Sequence, residues 1–328
     1  MIDDPTELPD LRLRMREHVM TTECGYELVR RLVAGKSAVV PRLTGPPEIR
    51  RTSAVTGALL MARREAHRLG EAQLYWVDRD MTALALAAAD YPSREPVAAR
   101  RMPAEAGLVV FAEPVDDQDG EQVLAVSWSR WMPQHLDLDD GSGLITWRLN
   151  TPGGEVPLHP GFDGVWLTCW SPQLVPLAES VLPFGQPLIP LWSGSGKRWK
   201  HVIYTAWQLM TQSGSTRLVD LEELPRSRHG RKRDQRAGVE DVGTVRLVRV
   251  HARQRDAAPG EREAPRWSSR WPVRPYRRNT CLNSRLHAEG GCEHEERIVP
   301  AHIKGPADKP LKVSTRVHIW DTAPPSEP

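Results

Sequence analysis

Aromatic carbon is scarce outside tryptophan: the 328 residues include only 3 Phe and 5 Tyr, against 12 Trp. Cysteine is scarcer still for the length. The four thiols, Cys24, Cys169, Cys281 and Cys292, are too few and too scattered for a disulfide framework, so reduced thiols are expected. No apolar run reaches the roughly 18 residues that a membrane-spanning helix needs. The opening MIDDPTELPDLRLRMREHVM lacks an apolar segment behind its basic residues, so no secretory signal is expected and the cytoplasm is the expected compartment. A chain of this length buries a core without staples, and its 29 Pro and 24 Gly announce many loops and interrupted strands.

A complete catalytic signature is also missing. WSGSGKRWK at 192–200 has the look of a phosphate-binding loop. However, Leu191 stands where the first Gly is required, and Arg198 stands where Ser or Thr would bind magnesium. DLDDGSG at 137–143 starts like a calcium loop, yet Arg148 occupies the position of the bidentate Glu, so a β-turn is expected. No cofactor is expected. Cys281, His287, Cys292 and His294 gather four metal-ligating side chains in one loop. Their C-x5-H-x4-C-x-H spacing fits no known zinc module, and a polar hairpin loop is the expected reading.

What the chain does have is charge segregation. Between Arg226 and Arg278 stand 16 Lys/Arg against 6 Asp/Glu, a surplus of +10 that leaves −8 for the rest of a chain whose net charge is +2.

Periodicity predicts an α+β fold. Residues 1–100 read as helices with a single strand: Thr22 caps a helix through Tyr26, Val29, Leu32 and Val33 that ends at Gly35. A second runs through Val55, Leu59, Ala62, Ala66 and Leu69 to Gly70. Leu74–Val77 is the strand, and Asp78 caps a third helix that Pro92 closes. From residue 105 to 172 the period is two, over 107–115, 122–131, 143–149 and 164–170, which predicts an antiparallel β-meander. Residues 171–196 read as a wrapped loop. Trp199, Ile203, Ala206, Trp207 and Met210 then mark an amphipathic helix over 197–211 whose apolar stripe packs on the meander.

The domains expected are a mixed α+β domain over 1–222 and a basic linker over 223–242. A basic, β-rich C-terminal module over 243–320 and a disordered tail over 321–328 follow. The linker is expected because RSRHGRKRDQRAG carries almost no apolar residue.

In the stretch 266–278 alternate side chains separate by kind. Trp267, Trp271 and Val273 take odd positions, whereas Arg266, Arg270, Arg274, Tyr276 and Arg278 take even ones. In RIVPAHIKG at 297–305, Val299, Ala301 and Ile303 alternate with His302 and Lys304. If the two segments pair with apolar faces coincident, the result is a small antiparallel hairpin whose other face is cationic. Pro272, Pro275 and Pro300 require its strands to be short, bulged or at an edge.

Guanidinium groups grip phosphate bidentately and stack on bases, and Tyr276 adds a platform. The candidate nucleic-acid-binding residues are therefore Arg231, Lys232, Arg233, Arg266, Arg270, Arg274, Tyr276, Arg277, Arg278, His302 and Lys304, with RNA or single-stranded nucleic acid as the expected partner. Balance of an acidic remainder by a solvated basic face is the competing expectation. A metal-independent ribonuclease using His251 and His302 with Arg274 and Lys304, and a structural or assembly protein of a mobile element, are the alternatives.

The motifs RWSSRWPVRPYRR (266–278) and RIVPAHIKGPADKPL (297–311), with the GLVVFAEPV strand (107–115) and the WQLM helix end (207–210), resemble a set of phage and mobile-element proteins. Its characterised branch is a type V-A anti-CRISPR family that silences its Cas nuclease during translation by sensing the nascent N-terminus. Tyr276 stands where many relatives have His, and the Cys-bearing segment 281–294 is extra. The resemblance implies a non-enzymatic regulator whose N-terminal domain meets a protein or nascent-peptide partner, with no membrane involved.

Overall fold

The structure is a computed structural model. It describes residues 4–43, 53–89, 96–116, 120–131, 145–151, 154–157, 162–188, 197–212, 218–239, 244–250, 267–273, 276–281, 294–299, 302–306 and 309–312. The chain divides into two compact units, Met1–His251 and Ala252–Pro328. The fold is α+β, as the periodicities predict. Among the described residues no helix is long and apolar enough to cross a membrane.

The first unit begins with helices α1 (Leu8–Val19) and α2 (Thr22–Val33), strand β1 (Val39–Leu43), helix α3 (Ala54–Glu71), strand β2 (Gln73–Val77) and helix α4 (Arg79–Ala89). Local chemistry sets these boundaries. The side chain of Thr21, one residue before the expected cap, accepts from the Cys24 amide at 3.3 Å, and Ser53 accepts from the Thr56 amide at 3.1 Å. Asp78 accepts from the Met81 amide at 2.7 Å, as its place before α4 predicts. α3 runs one residue past Gly70, and β1 adds a strand where only one was expected before residue 100.

Strands β3 (Ala106–Asp116), β4 (Gln122–Trp131), β5 (Ile145–Thr151), β6 (Gly154–Pro157), β7 (Gly164–Trp170) and β8 (Pro176–Pro183) follow. Helix α5 (Arg198–Met210), strand β9 (Val219–Pro225), helix α6 (Arg228–Arg236) and strand β10 (Thr244–Val250) complete the unit. A seven-stranded mixed sheet has the order β8-β7-β4-β3-β2-β10-β9, with β2 parallel to both β3 and β10 and the other neighbours antiparallel. β1, β5 and β6 form a separate three-stranded antiparallel sheet.

Three expectations need correction. The run at 143–149 leaves the meander, because β5 pairs with β1. Part of the expected loop 171–196 is β8, which pairs along β7. β10, assigned by sequence to the C-terminal module, lies between β2 and β9, so the first unit extends to His251. A parallel neighbour so distant in sequence leaves no local signature.

Helices pack on both faces of the large sheet. On one, α1, α2 and α3 cover Leu74, Trp76, Leu108, Val110, Trp131, Trp166, Trp170, Val245 and Leu247 in one buried cluster. On the other, α4 and α5 pack together, and Trp207 of α5 meets Trp128 of β4 with ring centroids 5.0 Å apart, as the amphipathic stripe predicts.

Close approach at this contact explains Gly107 of β3. A Cβ there would meet Cζ2, Cη2 and Cε2 of Trp128 well inside van der Waals contact. Gly107→Ala is expected to cost about 2 kcal/mol, read as a lower urea midpoint with an unchanged slope.

The first helical layer also buries charge. Arg68 of α3 is 0% exposed and donates to the Trp166 carbonyl at 3.1 Å, to Thr168 and to Glu65 of its own helix. Ser127 donates to Glu65 at 2.6 Å and accepts from the Trp170 indole at 3.0 Å.

The second unit contains β11 (Trp271–Val273), β12 (Tyr276–Cys281), β13 (His294–Val299) and β14 (His302–Lys304). β11 pairs with β14 and β12 with β13, both antiparallel. The two expected segments therefore do pair, as two short ladders. Because each ladder has two strands among the described residues, Pro272 sits on an edge strand there. The expected tail, 321–328, lies outside the described residues.

Candidate nucleic-acid interface

The stretch expected to be a linker forms helix α6, and polar contacts rather than apolar ones hold it. Ser227 caps it by accepting from the Gly230 amide at 3.1 Å. Gly230 and Asp234, four residues apart, share the inward face and are its buried residues.

Arg226 folds back across this face. Its Nε donates to Asp234 at 3.2 Å, and its Nη2 donates to Asp10 of α1 at 2.6 Å. A Cβ at Gly230 would collide with that guanidinium, so glycine here leaves room for the arginine. Arg233 also pairs with Asp10, and Arg16 of α1 donates to the Ala237 carbonyl at 2.7 Å. Burial alone would raise the pKa of Asp10. The hydrogen bonds and charges of Arg226 and Arg233 outweigh it and hold the carboxyl below its ordinary value of 3.8. The tether therefore stays ionised at neutral pH.

With its inward face so occupied, α6 turns Arg228, Arg231, Lys232, Arg233 and Arg236 to solvent. Arg228, Arg231, Lys232 and Arg236 carry no ion pair among the described residues. A nine-residue helix with five exposed cations is suited to tracking a phosphate backbone. Arg231, Lys232 and Arg233, singled out by sequence, are thus brought together, although on an ordered helix of the first unit.

In the second unit the register departs from expectation. Trp271 stands opposite Lys304, Pro272 opposite Ile303, and Val273 opposite His302. Directly opposed residues share a face, so His302 and Lys304 belong with the tryptophans and not with the arginines of 266–278. Lys304 Nζ lies 5.3 Å from the ring centroid of Trp267, and the Trp267 and Trp271 rings are 5.0 Å apart and tilted by 56°. Both indoles are half-buried and Lys304 is exposed. The result is a paired-indole surface edged by a cation and an imidazole.

Arg270 is committed differently. Its Nε donates to the Lys309 carbonyl at 2.7 Å, and its backbone exchanges bonds with Pro310 and Lys312 at 2.8 and 2.7 Å. One cationic face shared by Arg270, His302 and Lys304 is therefore absent. Arg266 and Arg274 lie outside the described residues. Tyr276, Arg277 and Arg278 are placed by backbone register alone, opposite Val299, Ile298 and Arg297.

The remaining candidates stay apart or undescribed. Cys281 and His294 are the last opposed pair of the β12–β13 ladder, whereas His287 and Cys292 lie outside the described residues. No metal-binding cluster occurs among the described residues. His251, half of the ribonuclease pair, also lies outside them, so no geometry joins it to His302. The chain matches no family model, and no curated protein or solved structure is significantly similar to it.

Proposed function

We propose that this chain is a non-enzymatic regulatory protein of phage or mobile-element type. It binds RNA or single-stranded nucleic acid through Trp267, Trp271, Lys304 and His302 of the second unit, and the cations of α6 give the first unit a phosphate-attracting surface of its own. The observation that carries the reading is the adjacent, half-exposed indole pair with Lys304 over one ring. Stacking surfaces beside a cation favour unpaired bases, whereas duplex DNA hides its bases and calls for a groove-reading element.

The same reading gives the first unit a protein partner, a nascent peptide being one class. Support comes from Tyr26 and Val33 of α2 with Val55 and Leu59 of α3, large apolar side chains exposed on helices that pack together.

Titration of the full chain with labelled single-stranded RNA at several salt concentrations tests the nucleic-acid reading. With about four phosphate contacts the log–log salt slope should be roughly −3, and Arg231→Gln with Lys232→Gln should reduce its magnitude by about 1.4. Absence of binding at low salt, or an unchanged slope in the double variant with binding intact, removes the nucleic-acid half or the role of α6 respectively.

A further inference from the structure

The buried layer between α3 and the large sheet is rich in N–H donors that lack acceptors. Among the described residues the indole N–H groups of Trp131, Trp147 and Trp166 have no hydrogen-bond partner, and neither does Nε of Arg64 or of Arg68. Nη2 of Arg31 also lacks one, standing 3.9 Å from Glu179. Among the described residues the one carboxylate oxygen left unpartnered in this layer is Oε2 of Glu179.

These groups are contiguous. The Trp166 ring is 5.4 Å from Trp131, 5.4 Å from Trp147 and 5.1 Å from the Arg68 guanidinium carbon. Arg64 reaches Ser129, the residue opposite Trp166, at 3.4 Å. Each of these side chains is at least nine-tenths buried.

Unpartnered buried donors are costly and call for an explanation. Here they occur together, around an excess of buried cations: among the described residues Arg31, Arg64 and Arg68 have the buried carboxylates Glu65 and Glu179 against them, while Glu71 acts on Arg64 and Glu27 on Arg31 from more exposed positions. Arg64 has no carboxylate within ion-pair distance among the described residues. Burial also raises the pKa of Glu179, which weakens its claim on the cations. Apolar ligands would leave every donor unmet, and a cation would add to the excess. What matches six clustered donors and an excess of buried cations is a compact group of acceptor oxygens.

We infer that the first unit holds a small oxyanion, a carboxylate or phosphate group, against Arg64 and Arg68 and the indole N–H groups of Trp131, Trp147 and Trp166. The site does not depend on the nucleic-acid surface and stands or falls separately.

The full chain is titrated with inorganic phosphate and, separately, with acetate. The thermal unfolding midpoint is compared with sodium chloride at matched ionic strength. One of the two should raise it saturably. Trp147→Phe, which keeps an aromatic ring and deletes the N–H donor, should weaken that response about tenfold, and Arg64→Met should abolish it. Phosphate stabilises many proteins by exclusion from their surfaces, and an excluded anion would act equally on all three proteins. Equal responses in wild type and both variants, or no saturable response to either anion, would overturn the inference. If Arg64→Met does not fold, Trp147→Phe decides the matter alone.

Discussion

Arg68→Ala should lower folding stability by about 3–5 kcal/mol, the range for removing one partner of a buried ion pair. The guanidinium is fully enclosed and serves the Trp166 carbonyl, Thr168, Glu65 and the Trp166 ring at once. Its removal strands Glu65, whose remaining donors are the hydroxyls of Ser127 at 2.6 Å and Thr168 at 3.2 Å. Two hydroxyls do not neutralise a carboxylate in this environment, and truncation adds a cavity beside Trp166.

Replacing both charges by apolar groups of similar volume, as in Arg68→Met with Glu65→Leu, should cost far less than Arg68→Ala alone. The burial that demands pairing is itself what makes the pair expensive. Burial and the neighbouring Arg64 also depress the Arg68 pKa to about 9, still protonated at neutral pH. A group whose folded pKa lies below its unfolded one opposes folding while charged, so this term becomes less unfavourable as pH rises above about 9 toward the ordinary arginine range. Urea unfolding of the three proteins at pH 7 measures the differences. A cost for Arg68→Ala below about 1 kcal/mol would mean that the pair contributes nothing that water cannot replace.

Whether an element was legible in the sequence depended on how local its cause is. α5 could be read because Trp199, Ile203 and Trp207 declare an apolar stripe, and α4 because Asp78 stands before it as a cap. α6 gave the opposite impression, since it lacks the apolar face that a packed helix is expected to show. Its support is a cap at Ser227 and carboxylates at Asp10 and Asp234. Ser227 ahead of the run and the four-residue step from Gly230 to Asp234 were the local signs.

Arg64, Glu65 and Arg68 carry no sign of burial in the local sequence. Their partners Ser127 and Thr168 lie 59 and 100 residues from Arg68 along the chain, so their burial could not be seen. The hairpin illustrates a third limit. Alternation states which residues of one strand share a face, but the pairing register decides which face of the partner they meet, and a slip of one residue reverses it. That reversal moved Lys304 and His302 from the arginines to the tryptophans.

The reversal carries the functional expectation with the largest effect. Trp267→Ala and Trp271→Ala should each weaken single-stranded RNA binding by roughly tenfold or more, because stacking of a base on an aromatic ring is worth about 1–3 kcal/mol. With ring centroids 5.0 Å apart the indoles form one platform, so the double variant should lose less than the product of the single losses.

Trp→Phe at either position retains a stacking face and should recover most of the affinity. Lys304→Gln removes both the proposed phosphate contact and the cation over Trp267, and should reduce the magnitude of the salt slope by about 0.7. A purely structural pair predicts a different pattern. Truncation would then loosen the β11–β14 ladder, visible as faster amide exchange over 271–273 and 302–304, while Trp→Phe and Lys304→Gln would leave RNA affinity and its salt dependence unchanged. Measuring exchange and affinity on the same variants separates the two accounts. Because Lys304 is exposed and its replacement removes no core contact, its effect on the salt slope is the more decisive of the two readings.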